Sequence, residues 1–316
     1  MNKYDVITIG DINPDLVFAG IEKLPGAGEE KQVDNMFLKL GGGAALCAAG
    51  LAKLGMNISF NSVVGNDLYG KFLISEMNKL NIDTSHINVL KENSTGITVA
   101  LTNSKNRTFI TYKGSNGKLD FNKINGNYLK QAKHVHLTGY CKETHDSFIK
   151  IVKMAKENNL TASLDVGWDD TGEWDSRIFN IISLVDIFLP NETEALHYCR
   201  CSKVEDALDK LTYYGNLVVI KLGSSGSIAK VNNKLYRKQA YKVDTVDTTG
   251  AGDSFNAGFI YSYLNNYGIE QCLSIANACG ALSTTGFGGN TSFPNIEKVM
   301  DFIKKNSDKY TSISRN

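Results

Sequence analysis

The chain has 316 residues, 42% of them hydrophobic and 21% charged, and its 34 basic and 33 acidic side chains leave a formal charge of +1. That length suits one large domain with most of its apolar surface buried. The balanced charge gives no electrostatic reason to expect nucleic acid or an anionic membrane as a partner.

The N-terminal residues 5–10 (DVITIG) read as a first strand rather than a signal peptide. Residues 15–40 hold two extended runs, DLVFAG and KQVDNMFLKL, around a loop with Pro and Gly. A helix of small residues follows over 44–54, then a strand over 58–65. Its apolar core, residues 43–52, is about half the length of a membrane span, and a cytoplasmic location is expected. Residues 96–113 read as a hairpin, GITVAL and RTFITYKG around the turn TNSKN. Residues 134–139 (HVHLTG) form a strand before an amphipathic helix in which Phe148, Ile151, Val152 and Ala155 recur at helical spacing. LTASLDVG, LVDIFLP and LVVIKLG are further strands, and KVDTVD reads as extended. DSFNAGFIYSYL reads as a helix with Phe255, Phe259, Tyr263 and Leu264 on one stripe.

Alternating strands and helices predict an α/β fold: a doubly wound, mostly parallel sheet with helices on both faces. The two runs at 15–40 and 96–113 break that rhythm and are expected to pair as a small β-sheet lid. With no internal repeat and no linker, residues 1–316 read as a single domain carrying that lid. Ligands of such sheets bind outside the carboxyl ends of the strands. Six cysteines (Cys47, Cys141, Cys199, Cys201, Cys272 and Cys279) have neither disulfide-framework density nor zinc-site spacing, and they read as reduced, mostly buried thiols.

One stretch carries chemistry. Gly250-Ala251-Gly252 stands directly before Asp253 at a helix start, where unpaired N–H groups and the helix dipole favour an anion. A carboxylate beside an anion site suits a general base that takes a proton from an attacking hydroxyl. By spacing alone, a helix N-cap above a tight turn is the favoured reading of Asp253. The turn matches neither the Walker nor the dinucleotide fingerprint, and the first strand ends GDINPD, which gives no reason to expect NAD.

DTTGAGDSFNAGF closely resembles the C-terminal signature of the ribokinase-like (PfkB) carbohydrate kinase family, and GGGAALCAAGLAKLG resembles its N-terminal signature. GDINPDL, GSN, PNETEA and KLGSSG resemble further family segments in the family's order. The resemblance implies an ATP-dependent phosphotransferase acting on a hydroxymethyl group of a sugar or sugar-like substrate. It makes Asp253 the base and the backbone of Gly250, Ala251, Gly252 and Asp253 the anion hole. It places Asn13, Asp15, Gly42, Gly43, position 46 and Asn116 at the substrate. Asn191, Lys221, Gly223, Gly226 and Asn277 are placed at ATP. It gives Glu194 a role in holding Mg²⁺ through water, and it sets Asp247 and Thr249, with carbonyls of residues 286–290, where some members bind a monovalent cation such as K⁺. It also implies water exclusion by the lid and a homodimer formed through it. Singly, Asn191 and Glu194 also read as a helix N-cap with a first-turn acid, and Gly223 with Gly226 as a hairpin turn.

The family usually has Asn where this chain has Leu46. A leucine donates no hydrogen bond, so either hydroxyl preference is changed here or Leu46 only packs. The substitution leaves open a nucleoside kinase of the same family. A sugar-binding sensor without catalysis is a third reading, and the retained Asp253 argues against it. Trp168, in DVGWDDTGEW, reads either as a stacking platform for a ligand or as core, and Tyr140 is a similar candidate. His136 reads as structural.

Overall fold

The computed structural model describes residues 2–21, 23–102 and 107–313. Most of the turn TNSKN, residues 103–106, lies outside the described residues. The large sheet begins with β1 (Val6–Ile9), which is buried at every position. Continuous burial needs cover on both faces. Two strands of the small sheet follow, β2 (Asn13–Ala19) and β3 (Asn35–Gly41). Next come β4 (Ile58–Gly65), β5 (Asp83–Leu90), β6 (Ile97–Thr102) and β7 (Arg107–Tyr112). The rest of the large sheet is β8 (His134–Leu137), β9 (Thr161–Leu164), β10 (Ile187–Phe188), β11 (Leu217–Lys221), β12 (Ser227–Val231) and β13 (Lys234–Lys238).

The nine-stranded sheet has the order β13-β12-β11-β10-β9-β8-β1-β4-β5 and is parallel from β11 through β5. Its β11-β12-β13 edge is antiparallel. The four-stranded sheet, β3-β2-β6-β7, is made by the two runs that interrupted the strand-helix rhythm.

The helices are α1 (Gly43–Lys53), α2 (Leu68–Lys79), α3 (Gly126–Leu129), α4 (His145–Glu157), α5 (Ile178–Ile182) and α6 (Glu192–Cys199). They continue with α7 (Val204–Tyr214), α8 (Ala251–Leu264), α9 (Ile269–Ser283) and α10 (Ile296–Ile313). The strands alternate their side chains between two cores. Leu217 and Val219 face the core shared with α1, α8 and α9, while Val218 and Ile220 face the core shared with α4, α5 and α7. The expected stripe of α4 is buried as read, Phe148, Ile151, Val152 and Ala155 together.

Small residues set the packing of α1 on α8. A β-carbon at Gly50 would fall 2.7 Å from that of Ala257, so the two helices approach too closely for any larger residue there. This close approach brings the N-terminus of α1 to that of α8.

KVDTVD, read as extended, joins no sheet, and the N–H groups of Val246 and Asp247 both go to the Thr284 carbonyl (2.8 and 3.1 Å). One sequence expectation changes. The helix after the glycine turn starts at Ala251 rather than Asp253, which draws Ala251 and Gly252 into its first turn. All six cysteines are free, four of them buried. Among the described residues no helix is long and apolar enough to cross a membrane.

Candidate active site

Gly250 caps α8 with φ 75°, and a β-carbon on it would lie 2.6 Å from the Gly289 carbonyl oxygen. Glycine is therefore needed both for the left-handed backbone and for the close approach. Asp253 sits in the first turn and makes no N-cap bond, which removes the capping reading. The first N–H groups of a helix have no intrahelical acceptor. Here the Ala251 N–H is taken by the Thr248 carbonyl at 3.2 Å, which leaves Gly252 and Asp253 as the helix-start donors free of that turn.

The turn is braced from behind. Asp247 accepts from the Thr249 N–H (2.9 Å) and hydroxyl (2.8 Å) through Oδ1, and from the Gly288 N–H (2.9 Å) through Oδ2. The residues read as a monovalent-cation site thus tie the glycine turn to residues 286–290. That segment meets the small sheet: Phe37 stacks on Phe287 at 6.0 Å, and a β-carbon at Gly288 would lie 2.6 Å from Lys39 Cγ.

The N-terminus of α1 faces Asp253. Its cap, Gly42, has φ 92°, and a β-carbon there would fall 2.7 Å from the Asp11 carbonyl oxygen. The Asp11 carboxylate accepts from the N–H groups of Gly43 (3.0 Å) and Ala44 (3.2 Å) and from the Thr138 hydroxyl (3.2 Å). A β-carbon at Gly43 would stand 3.4 Å from Asp253 Oδ1. The Gly-Gly pair and the acid, two hundred residues apart in sequence, share one site.

The small sheet adds a polar floor. The Asn13 amide donates to Asp15 Oδ1 (2.9 Å) and to the Thr98 hydroxyl (3.1 Å), and Asn116 Oδ1 accepts from the Ile12 N–H (3.2 Å). Asp15 is 7% exposed. Burial, reinforced by Asp11, pushes its carboxyl up to about 7, with the Asn13 bond opposing. Such a raised carboxyl stabilises the protein most below the ordinary carboxylate range, and that stability is lost as pH rises through about 7. Asp15→Asn is therefore expected to stabilise the free protein, by a few kcal/mol at pH 8 and by less at pH 5, since one pKa unit is about 1.4 kcal/mol. Melting curves of both proteins at the two pH values check this, and an equal gain at both would contradict it.

Asn191 and Glu194 form a reciprocal capping box at the start of α6. Glu194 N–H donates to Asn191 Oδ1 (2.9 Å), and Asn191 N–H donates to Glu194 Oε2 (2.8 Å). Glu194 is 4% exposed, and burial, then Asp165, pushes its carboxyl up to about 7 against the pull of Lys221. The cap reading is thus true of the local structure, and it fixes the acid at the carboxyl edge of the sheet. Gly223 and Gly226, both at positive φ, shape the β11–β12 turn. A β-carbon on Gly226 would lie 2.0 Å from the Lys238 carbonyl oxygen. The Asn277 amide donates to the carbonyls of Lys238 (3.2 Å) and Gln239 (3.3 Å).

The structure also places the residues whose sequence reading left alternatives open, and His136. Leu46 is 4% exposed in the helix-face core, where a β-carbon on Gly289 would meet its Cδ2 at 2.7 Å, so it props the loop behind the anion turn. Trp168 is 69% exposed, against the core reading; Trp174 is the buried one and packs edge-on to it at 5.5 Å. Tyr140 is buried, its hydroxyl 3.1 Å from His145 Nδ1, inside an aromatic cluster with Phe148 and Tyr198. His136 is buried on Ser163 (2.7 Å), and burial lowers its pKa to about 4, as suits a structural histidine.

Three site residues were missed by the sequence reading: Asp11, Asp165 and Asn256. Lys221 Nζ donates to Asp165 Oδ2 (2.8 Å) and Asn256 Oδ1 (3.2 Å), and the Asn256 amide also donates to Asp165 Oδ2. Burial pushes Asp253 well above the carboxylate range, with Asp165, Asp11 and Glu194 adding to the rise and Lys221 opposing it.

The arrangement joins a helix start with N–H donors free of the turn, a half-buried acid, and a polar floor beside a small sheet. Residues 3–296 match the model of the pfkB family carbohydrate kinases. The chain belongs to the pfkB family of carbohydrate kinases. Family membership makes it a phosphotransferase acting on a sugar hydroxyl. An ATP-dependent ribose-1-phosphate kinase from Halopiger xanaduensis is 28% identical over 96% of this chain and 99% of its own length. A 5-dehydro-2-deoxygluconokinase from Clostridium perfringens is 25% identical over 98% of this chain and 95% of its own. Among solved structures, an E. coli chain assigned as a ribokinase II, in complex with ATP and Mg²⁺, superposes with a TM-score of 0.85 at 27% identity, over 96% of this kinase and 99% of that chain. The ribokinase fold of this kinase, a large mostly parallel sheet with a small separate one, is the fold expected from the strand-helix rhythm.

Proposed function

We propose that this kinase transfers the γ-phosphoryl group of ATP to a hydroxymethyl group of a sugar or sugar-like substrate, with Asp253 as general base. The observation that carries the reading is Asp253 Oδ1 standing 3.4 Å from the β-position of Gly43, between two helix N-termini. One face supplies N–H groups for an anion, and the other supplies the substrate floor of Asn13, Asp15 and Asn116.

In the reaction Asp253 takes the hydroxyl proton as the substrate oxygen bonds to the γ-phosphorus. The bond from that phosphorus to the bridging oxygen breaks, and its electron pair leaves with ADP. Charge developing on the transferred group is met by the N–H groups of Gly252 and Asp253, donors fixed in place before the reaction. Burial and the neighbouring acids raise the pKa of Asp253, which makes its ionised form a stronger proton acceptor than an ordinary carboxylate. The small sheet, latched to the anion turn through Phe37 and residues 286–290, would close over the substrate and exclude water, which competes for the γ-phosphate.

Mg²⁺ fits the donors present. It favours hard oxygens, keeps several waters and needs only one or two carboxylates besides the phosphates. Glu194, whose charge is disfavoured by burial and by Asp165, is the kind of acid a cation would return to its ionised form. Glu194 would hold the ion, which would offset phosphate charge.

The test is a panel of free pentoses and hexoses, sugar 1-phosphates, keto-deoxy acids and nucleosides, assayed for ADP release with ATP and Mg²⁺. Turnover of at least one sugar or sugar acid is expected. Turnover of nucleosides alone would replace the sugar reading with the nucleoside one, and no turnover of any member would remove the kinase reading.

A further inference from the structure

We propose that Lys221 is a positioning residue for this transfer: its ammonium, clamped by Asp165 and Asn256 beneath the first turn of α8, compensates the charge of Asp253 and holds that carboxylate ready to accept the proton. The proposal rests on the kinase reading above.

Three distant parts of the chain build the clamp. Asp165 follows β9, Lys221 ends β11, and Asn256 lies one turn beyond Asp253 on α8. The side chains of Lys221 and Asp165 are only 12% and 10% exposed, and Asn256 is fully buried. Every contact inside the triad is made: ammonium to carboxylate, ammonium to amide oxygen, and amide to the same carboxylate oxygen. The other oxygen, Asp165 Oδ1, is buried with no partner among the described residues. Lys221 therefore supplies most of what compensates that carboxylate, and the ammonium is held where it is.

It is held close to the anion turn. A β-carbon on Gly252 would lie 3.7 Å from Lys221 Nζ. The charged and titratable groups whose fields reach Asp253 are Asp11 from the β1–β2 loop, Asp165 after β9, Glu194 on α6, the Cys47 thiol on α1, and Lys221. Lys221 is the sole cation in that set. Burial opposes its charge, yet Asp165, Glu194 and Asp253 together hold its pKa above the ordinary value. A salt bridge kept this dry costs desolvation, and the charge it leaves beside the acid is a use that offsets the cost. The family resemblance places Lys221 at ATP; two of its three N–H donors go to Asp165 and Asn256, and the third remains for a phosphate.

The test is the acid limb of the kcat–pH profile in Asp165→Asn, in Asp165→Asn/Lys221→Met and in Lys221→Arg, each checked for folding by circular dichroism and melting. Removing the Asp165 anion is expected to move the limb to lower pH. Adding Lys221→Met should move it back up by about one pH unit, the scale of an opposite charge a few ångströms away. Lys221→Arg keeps the charge and should keep the limb. In the residual activity of Asp253→Asn the limb should be gone, whereas a limb that stayed would belong to Glu194 and would overturn the proposal. KM for ATP should change less than about threefold, well short of the factor of ten that 1.4 kcal/mol represents. A limb that does not respond to Lys221→Met, or a rise of tenfold or more in KM for ATP with the limb unmoved, would overturn the proposal. Loss of the kinase reading looks different: the unaltered enzyme then transfers no phosphoryl group to any substrate.

Discussion

Asp253→Asn is expected to lower kcat by about 10²- to 10⁴-fold, the usual contribution of a positioned general base, with little change in KM for ATP or sugar. Asparagine keeps the size and a hydrogen-bonding oxygen but takes no proton at working pH. Asp253 makes no helix-cap bond whose loss would loosen α8, so the fold should be retained. Burial and neighbouring acids destabilise the ionised form of Asp253 in the free protein. Removing the charge should therefore leave melting temperature unchanged or raise it, most clearly above neutral pH. Steady-state kinetics and melting curves on the same preparation check both halves. A kcat within threefold of the unaltered enzyme would show that the proton goes elsewhere.

Gly250→Ala is the second large effect. Alanine at φ 75° is strained, and its β-carbon would meet the Gly289 carbonyl oxygen at 2.6 Å, a backbone atom that cannot simply rotate away. The turn or the 286–290 loop has to shift. Either movement disturbs the first N–H groups of α8 and the bond from Gly288 N–H to Asp247. Losing one aligned donor to a developing anion costs about 10²- to 10³-fold in kcat, and a fall of that size is expected. Melting temperature should also drop, because strain of about 1–3 kcal/mol is added to the native state. Unchanged kinetics would mean that the turn does not contact the transferring group.

What could be read from sequence follows from where the physical signal lies. Helix α4 was legible because one face is apolar and the other wet. Helix α9 was not, because small and apolar residues surround it and leave no stripe to detect. The β12–β13 hairpin was missed although Asn232 and Asn233, both at positive φ, are the turn residues such a hairpin favours. The small sheet was legible as an interruption of the strand-helix alternation. At the site, the glycines and Asp253 stood out because backbone approach and charge are both written in residue type. Asp165 and Asn256 did not, because their roles arise only when β9, β11 and α8 converge. Leu46 reads from sequence either as a lost polar contact or as packing, and in the structure it packs against the Gly289 backbone. Of the two tryptophans of this segment, Trp174, at φ 47°, is buried and Trp168 is exposed, a difference that residue type does not encode.

The central claim, transfer to a hydroxymethyl oxygen at the Asp253 site, is tested most directly by the proton-coupled ³¹P spectrum of the product made from ATP and the best substrate of the panel. A phosphomonoester signal split into a triplet by the two protons of a CH₂ group, growing at least about a hundredfold more slowly when Asp253→Asn replaces the unaltered enzyme, is the predicted result. A doublet from a secondary alcohol, or inorganic phosphate as the only new signal, would contradict it.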